Sequence, residues 1–171
     1  MIRTMTIAFA ATIASSCMFF AVSQPASAAQ EGPQTHMVEA PFEDVMLDLQ
    51  DAVVGRGLVI DYTGNVDKML ERTAEAAGSV TESGTKSPYL HAKYIQFCSA
   101  KLTHEAVSAN PQNLSICPYL VYLYETRDQP GTVHIGYRKP VFGPSKASHK
   151  IETKINTFLQ AIIDEVAGVA N

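Results

Sequence analysis

The sequence predicts an α+β fold: a single compact domain whose sheet, mostly antiparallel or mixed, carries its helices mainly on one face. Three observations predict it. Short runs alternate apolar and polar residues with period two. Other runs place apolar residues three and four apart. Clusters of Gly, Pro, Asn and Asp separate the runs. The predicted order is β-α-β-α-β-α-β-β-α over residues 35–171, its first strand being weakly patterned.

That strand is Thr35–Ala40, apolar at Met37. Pro41 suits the first position of a helix, where a missing N–H costs nothing. Phe42, Val45, Met46, Leu49, Ala52 and Val53 then mark one helical face. Glu43 and Asp44 occupy the first turn, where the helix dipole favours carboxylates, and Gly55 and Gly57 end the helix. Leu58–Thr63 alternates through Val59, Ile60 and Tyr62 and reads as a strand. A second helix is predicted over Val66–Ala77, capped by Asn65 and stopped by Gly78. Ser79–Pro88 is polar and turn-rich, a surface loop.

His91–Cys98 alternates around Ile95 and Phe97, so it reads as a strand. Ser99 caps a short helix, Lys101–Ala109, closed by Asn110-Pro111. Leu114–Thr126 is the strongest strand pattern. Leu114, Ile116, Leu120, Tyr122 and Tyr124 share one face, and Tyr119, Val121 and Leu123 the other. Apolar residues on both faces point either to a strand covered twice or to an oligomer interface. After the turn Asp128-Gln129-Pro130-Gly131, Thr132–Arg138 returns as the second arm of a hairpin. Ser145–Val169 is the closing helix, with Ile151, Ile155, Phe158, Leu159, Ile162, Ile163 and Val166 as its buried stripe.

The N-terminus carries a different signal. Arg3 is the single charge ahead of an uncharged stretch, Met5–Ala29, and Pro25 precedes Ala26-Ser27-Ala28, a small-x-small cleavage site. The expectation is a signal peptide, residues 1–28, cleaved after Ala28, then a disordered leader, 29–34. Thr4, Thr6, Thr12, Ser15 and Ser16 dilute the run below what a membrane anchor needs. A lipoprotein reading at Cys17 is opposed by the apolar Met18–Val22, where a polar tether belongs. The mature domain is then periplasmic, with no stable membrane span.

Removing Arg3 turns 13 basic residues into 12 against 17 acidic ones, a net charge of −5. A mildly acidic chain without a basic run is a poor binder of nucleic acid and of anionic lipid. No phosphate loop, dinucleotide fingerprint, Gly-x-Ser-x-Gly or His-Glu-x-x-His is present. Glu43 with Asp44 is a helix-start pair rather than an acid–base dyad.

Cys17 departs with the signal, which leaves Cys98 and Cys117. In an oxidising compartment a disulfide is the default for such a pair. It would close a loop of about 20 residues and stabilise by about 3 kcal/mol. If the two flanking strands were parallel neighbours, the cysteines would lie about 10–15 Å apart. An antiparallel arrangement, or a helix lying across the sheet, removes that objection. Two other readings stay open. Cys98, just ahead of a helix cap, has the setting of a reactive thiol for redox or sulfur transfer. Cys98 and Cys117, with His104 as third ligand, could also hold haem or a soft metal, although the most economical expectation is no cofactor.

A series of segments carries a resemblance: Pro41-Phe42-Glu43-Asp44-Val45, Gly57-Leu58-Val59-Ile60, Phe97-Cys98-Ser99-Ala100, Asn110-Pro111, Ile116-Cys117-Pro118-Tyr119, Val121-Tyr122-Leu123-Tyr124-Glu125 and His134-Ile135-Gly136-Tyr137-Arg138-Lys139-Pro140. Together they resemble the domain-of-unknown-function 302 family, in its exported, cysteine-containing branch, over about Phe42 to Val166. The resemblance implies a compact α+β fold and a homodimer. It implies no reaction, cofactor or catalytic residue.

The remaining candidates are surface residues. His36 and His149 are expected in solvent, and His134 shares the polar face of its strand. Tyr94, Tyr119, Tyr122, Tyr124 and Tyr137 cluster in the later strands, as ligand or interface lining or as ordinary strand material. The sequence therefore favours a non-catalytic periplasmic accessory protein that binds a small ligand or a periplasmic protein. The alternatives are a thiol redox or sulfur-transfer protein and a haem- or metal-binding protein.

Overall fold

The computed structural model describes residues 35–76, 87–143 and 145–169. The expected signal peptide and leader, the expected end of the second helix at Ala77–Gly78 and most of the loop Ser79–Pro88 fall outside the described residues. The elements are β1 (Thr35–Glu39), α1 (Phe42–Val54), β2 (Ile60–Asn65), α2 (Val66–Ala76), β3 (Tyr89–Phe97), α3 (Ala100–Ala109), a 3-10 helix (Pro111–Ile116), β4 (Tyr119–Thr126), β5 (Thr132–Tyr137) and α4 (Lys146–Val166).

The strands form one sheet in the order β1-β5-β4-β3-β2, and every neighbouring pair is antiparallel. The parity of each strand decides its inner side. Ile95 and Phe97 of β3, Tyr119, Val121 and Leu123 of β4, and Val133, Ile135 and Tyr137 of β5 point into the core. The stripes of α1 and α4 meet them: Phe42, Val45, Met46, Leu49, Ala52 and Val53 from one, Ile151, Ile155, Leu159, Ile162, Ile163 and Val166 from the other. Burying Leu49 completely is worth about 1.5–3 kcal/mol. Ala106, with Leu102 and Ala109 packed against the same core, anchors α3 beside α4. Ser99 caps α3, its hydroxyl accepting from Leu102 N, and Ser145 caps α4 by accepting from Ser148 N at 3.0 Å.

One element departs from expectation. The alternating run from Leu114 is not strand until Tyr119. Asn110 Oδ1 accepts from Gln112 N at 3.0 Å, Pro111 sets the first turn, and the chain winds into the 3-10 helix. Asn113 is buried within it, and its amide donates to Ala106 O at 3.0 Å and to Ser148 Oγ at 3.3 Å. Leu114 and Ile116 consequently part company: Ile116 joins the core while Leu114 is 62% exposed. In β4 itself the two expected faces separate cleanly. Tyr119, Val121 and Leu123 are buried, and Leu120, Tyr122 and Tyr124 are half-buried on the outward side.

Candidate functional site

The antiparallel ladder between β3 and β4 pairs Phe97 with Tyr119, so the chain positions just beyond this pair are also close. Cys98 and Cys117 sit there. Their Cα atoms are 5.6 Å apart and their sulfurs are at bonding distance, within the span a disulfide bridges. The Cys117–Pro118 peptide is cis. While joined, neither sulfur is a thiolate, the form that attacks disulfides or ligates metal. His104 projects from α3 as an exposed side chain and lines a cavity between α3 and α4 with Glu105, Ser108 and Lys150. Among the described residues no group of three or more His, Cys, Asp or Glu side chains is placed to hold a metal ion.

The predicted tyrosine surface divides between the two faces of the sheet. Tyr119 and Tyr137 are 2% and 3% exposed on the inner face, apart from the other three, although Tyr137 lines a cleft beside α4. Their positions share a face with Val121 and Ile135, and that face is covered by helices. Burial raises the pKa of both hydroxyls, with the Asp164 charge adding to the rise at Tyr137 and the Thr103 hydroxyl opposing it at Tyr119.

Tyr94, Tyr122 and Tyr124 lie on the outward face, joined by Tyr62 and Tyr89. Register builds the patch in rows. Gly64, Tyr94, Tyr122 and Gly136 lie side by side across β2, β3, β4 and β5, and Ala92, Tyr124, His134 and Met37 form a second row. A Cβ on Gly64 would come within 2.3 Å of the Tyr94 ring, so this ring lies over the glycine. Tyr62 and Tyr94 have ring centres 6.0 Å apart, and Tyr89 and Tyr124 meet edge-on at 5.6 Å. Tyr122 stacks on Tyr124 at 6.3 Å, and Tyr124 stacks on His134 at 4.5 Å. His134 is therefore half-buried against an aromatic ring instead of standing free in solvent. Burial raises the Tyr122 pKa, and neighbouring Tyr124 adds to the rise.

His36 also differs from expectation. It points inward from β1, and its Nε2 lies 2.7 Å from Asp164 Oδ1 of α4. Gln160 Nε2 donates to the same oxygen at 2.7 Å. These residues adjoin a cleft of about 400 Å³ lined by Tyr137, Asn156, Thr157, Gln160 and Asp164. Sequence reasoning missed the pair because its members are 128 residues apart. The available hint was strand parity, which puts His36 on the same side as Val38. His149, by contrast, is exposed as expected, with Nδ1 3.3 Å from Glu152.

No helix among the described residues is long and apolar enough to cross a membrane. Among curated proteins none matches the chain. The crystal structure of an uncharacterized conserved protein, DUF302, from Bacillus stearothermophilus is similar in fold. Its TM-score is 0.60 at 17% sequence identity, and the match covers 78% of this chain and 96% of that one. The family described as domain of unknown function DUF302 matches residues 34–166. With nearly all of the described sheet and its helices inside that match, the chain belongs to the DUF302 family.

Proposed function

We propose that this chain is an exported, non-catalytic binding domain of the periplasm, and that the outward face of its sheet is the surface that binds, first of all a second copy of the chain. The observation that carries the reading is the composition of that face. Its central rows hold Tyr94, Tyr122, Tyr124 and His134 among Gly64, Ala92, Gly136 and Met37, with the Tyr62 ring beside Tyr94, and no charged side chain. Charge enters at the rim, with Glu39 and Arg138. Depletion of charge at the centre, enrichment in tyrosine and a polar rim are the compositional signs of a protein interface. Tyrosine supplies large contact area with few torsions to freeze.

Size agrees with this reading. Five strands about 4.8 Å apart, with an eight-residue central strand rising about 3.3 Å per residue, offer a face of roughly 600 Å². A standard interface buries about 800 Å² per partner, which this face approaches once its rim is included. A twofold axis through the face sets like rows against one another, as an isologous dimer requires. The cysteine pair at bonding distance supports export, because such bridges persist in oxidising compartments.

Sedimentation velocity on the mature domain, residues 29–171, tests the binding reading. A dimer that dissociates on Tyr94→Glu/Tyr122→Glu, with the far-UV circular dichroism retained, is the expected result. A monomer at every concentration, with a sheet face indifferent to substitution, would sink it. Export is tested separately by intact mass from a periplasmic fraction, where a chain beginning at Ala29 is expected. A chain of full length confined to the cytoplasm would reverse that part alone.

A further inference from the structure

The cleft beside His36 lies on the inner side of the sheet, against α4, and shares nothing with the outward tyrosine face. We propose that it binds a small ligand through a cationic nitrogen, a primary ammonium or an amidinium group. The inference goes beyond the sheet-face reading and does not depend on it.

Asp164 is the reason. The residue is only 7% exposed, and it lines the cleft. Its Oδ1 is fixed by His36 Nε2 and by the Gln160 amide, each at 2.7 Å. A nearly buried carboxylate needs a counter-charge to offset its desolvation. The one ionic partner it has among the described residues is His36, a side chain that carries charge only when protonated. A ligand cation would supply a permanent charge beside a carboxylate already held in place.

The surrounding groups suit the same ligand. Tyr137 offers a hydroxyl that Asp164 helps keep protonated. Asn156 also lines the cleft, and its Oδ1 is shut off from solvent without a hydrogen-bond partner among the described residues. Lys139 also lines the cleft but has an interaction of its own. The volume, about 400 Å³, lies in the ordinary range for small-molecule sites. An anion placed there would meet the Asp164 carboxylate.

The test is a pair of titrations followed by ¹⁵N–¹H NMR on the mature domain at constant ionic strength. The probes are n-butylammonium and its opposite-charge counterpart, butyrate. Saturable shifts at the amides of Tyr137, Gln160 and Asp164 with n-butylammonium, and none with butyrate, are expected. Asp164→Asn should weaken n-butylammonium by at least about tenfold. Absent shifts at these amides, equal shifts with butyrate, or unchanged affinity in Asp164→Asn would each overturn the proposal. Should Asp164→Asn fail to fold, Tyr137→Phe replaces it as the variant. It deletes one oxygen and is expected to weaken n-butylammonium about threefold, and equal affinity would count against the site. The readout is indifferent to oligomeric state, so its failure is distinct from failure of the dimer reading.

Discussion

Glu125, next to last in β4, faces the inner side, 6% exposed, and its Oε1 accepts from Gly131 N at 2.7 Å. Gly131 has φ +87°, so the turn between β4 and β5 takes a left-handed residue there and the carboxylate holds it. Glu125→Ala leaves that N–H without its partner and should cost about 1–3 kcal/mol in urea unfolding. A change under a few tenths would mean the turn holds itself. Phenols give a second residue-scale expectation. Folding raises the pKa of Tyr119, Tyr122 and Tyr137, so the folded state prefers them protonated. Their contribution is complete below the ordinary phenol value of about 10 and is lost as pH rises through the folded values. Absorbance at tyrosinate wavelengths should show these three titrating above the ordinary phenol range, and stability should fall over that same alkaline range. The sequence revealed residues such as Leu49 and Ile155 because helical period alone fixes their side. It concealed His36 and Asp164, whose meeting depends on β1 docking beside α4 at the opposite end of the chain.

At the scale of elements, Gly64 and Tyr94 are a coupled pair on adjacent strands. Gly64→Ala puts a methyl into the Tyr94 ring and should destabilise by about 1–3 kcal/mol. The same change in a Tyr94→Ala background should cost much less, and a double-mutant cycle in urea measures the difference. Equal costs in both backgrounds would show that the ring is not the obstacle. The cysteines join the end of β3 to the segment entering β4 across 19 residues. Cys98→Ser/Cys117→Ser should lower stability by about 3 kcal/mol, measured against the oxidised parent. No loss would mean that the ladder from Tyr89 to Phe97 fixes the two ends unaided. Strand parity was legible in β5, where Val133, Ile135 and Tyr137 alternate with polar residues. It misled at Leu114 and Ile116, because a 3-10 turn of three residues and a strand of period two can both place apolar residues at short spacing. Asn110 and Pro111 were the clue that a turn comes first.

For the whole molecule, the α+β class and the sequence of elements followed from the local patterns, but the sheet order did not. Period-two patterning says which residues share a face and leaves open which face remains uncovered. That is why Tyr119 and Tyr122, three residues apart in one strand, could not be divided into core and surface until helices were set against one side. The proposed dimer gives a molecular-scale expectation: the melting temperature of residues 29–171 should rise with protein concentration, and Tyr94→Glu/Tyr122→Glu should remove the dependence. A wild-type melting temperature independent of concentration would speak for a monomer. The order β1-β5-β4-β3-β2 has one further effect. A polypeptide that emerges N terminus first presents the future rim of its sheet before the middle. β2 finds β3 as soon as Phe97 is out, whereas β1 must wait for Tyr137 and can add its hydrogen bonds only when most of the chain has been delivered. The leading strand thus stays unengaged until β5 is complete, and its fastening comes at the close of assembly.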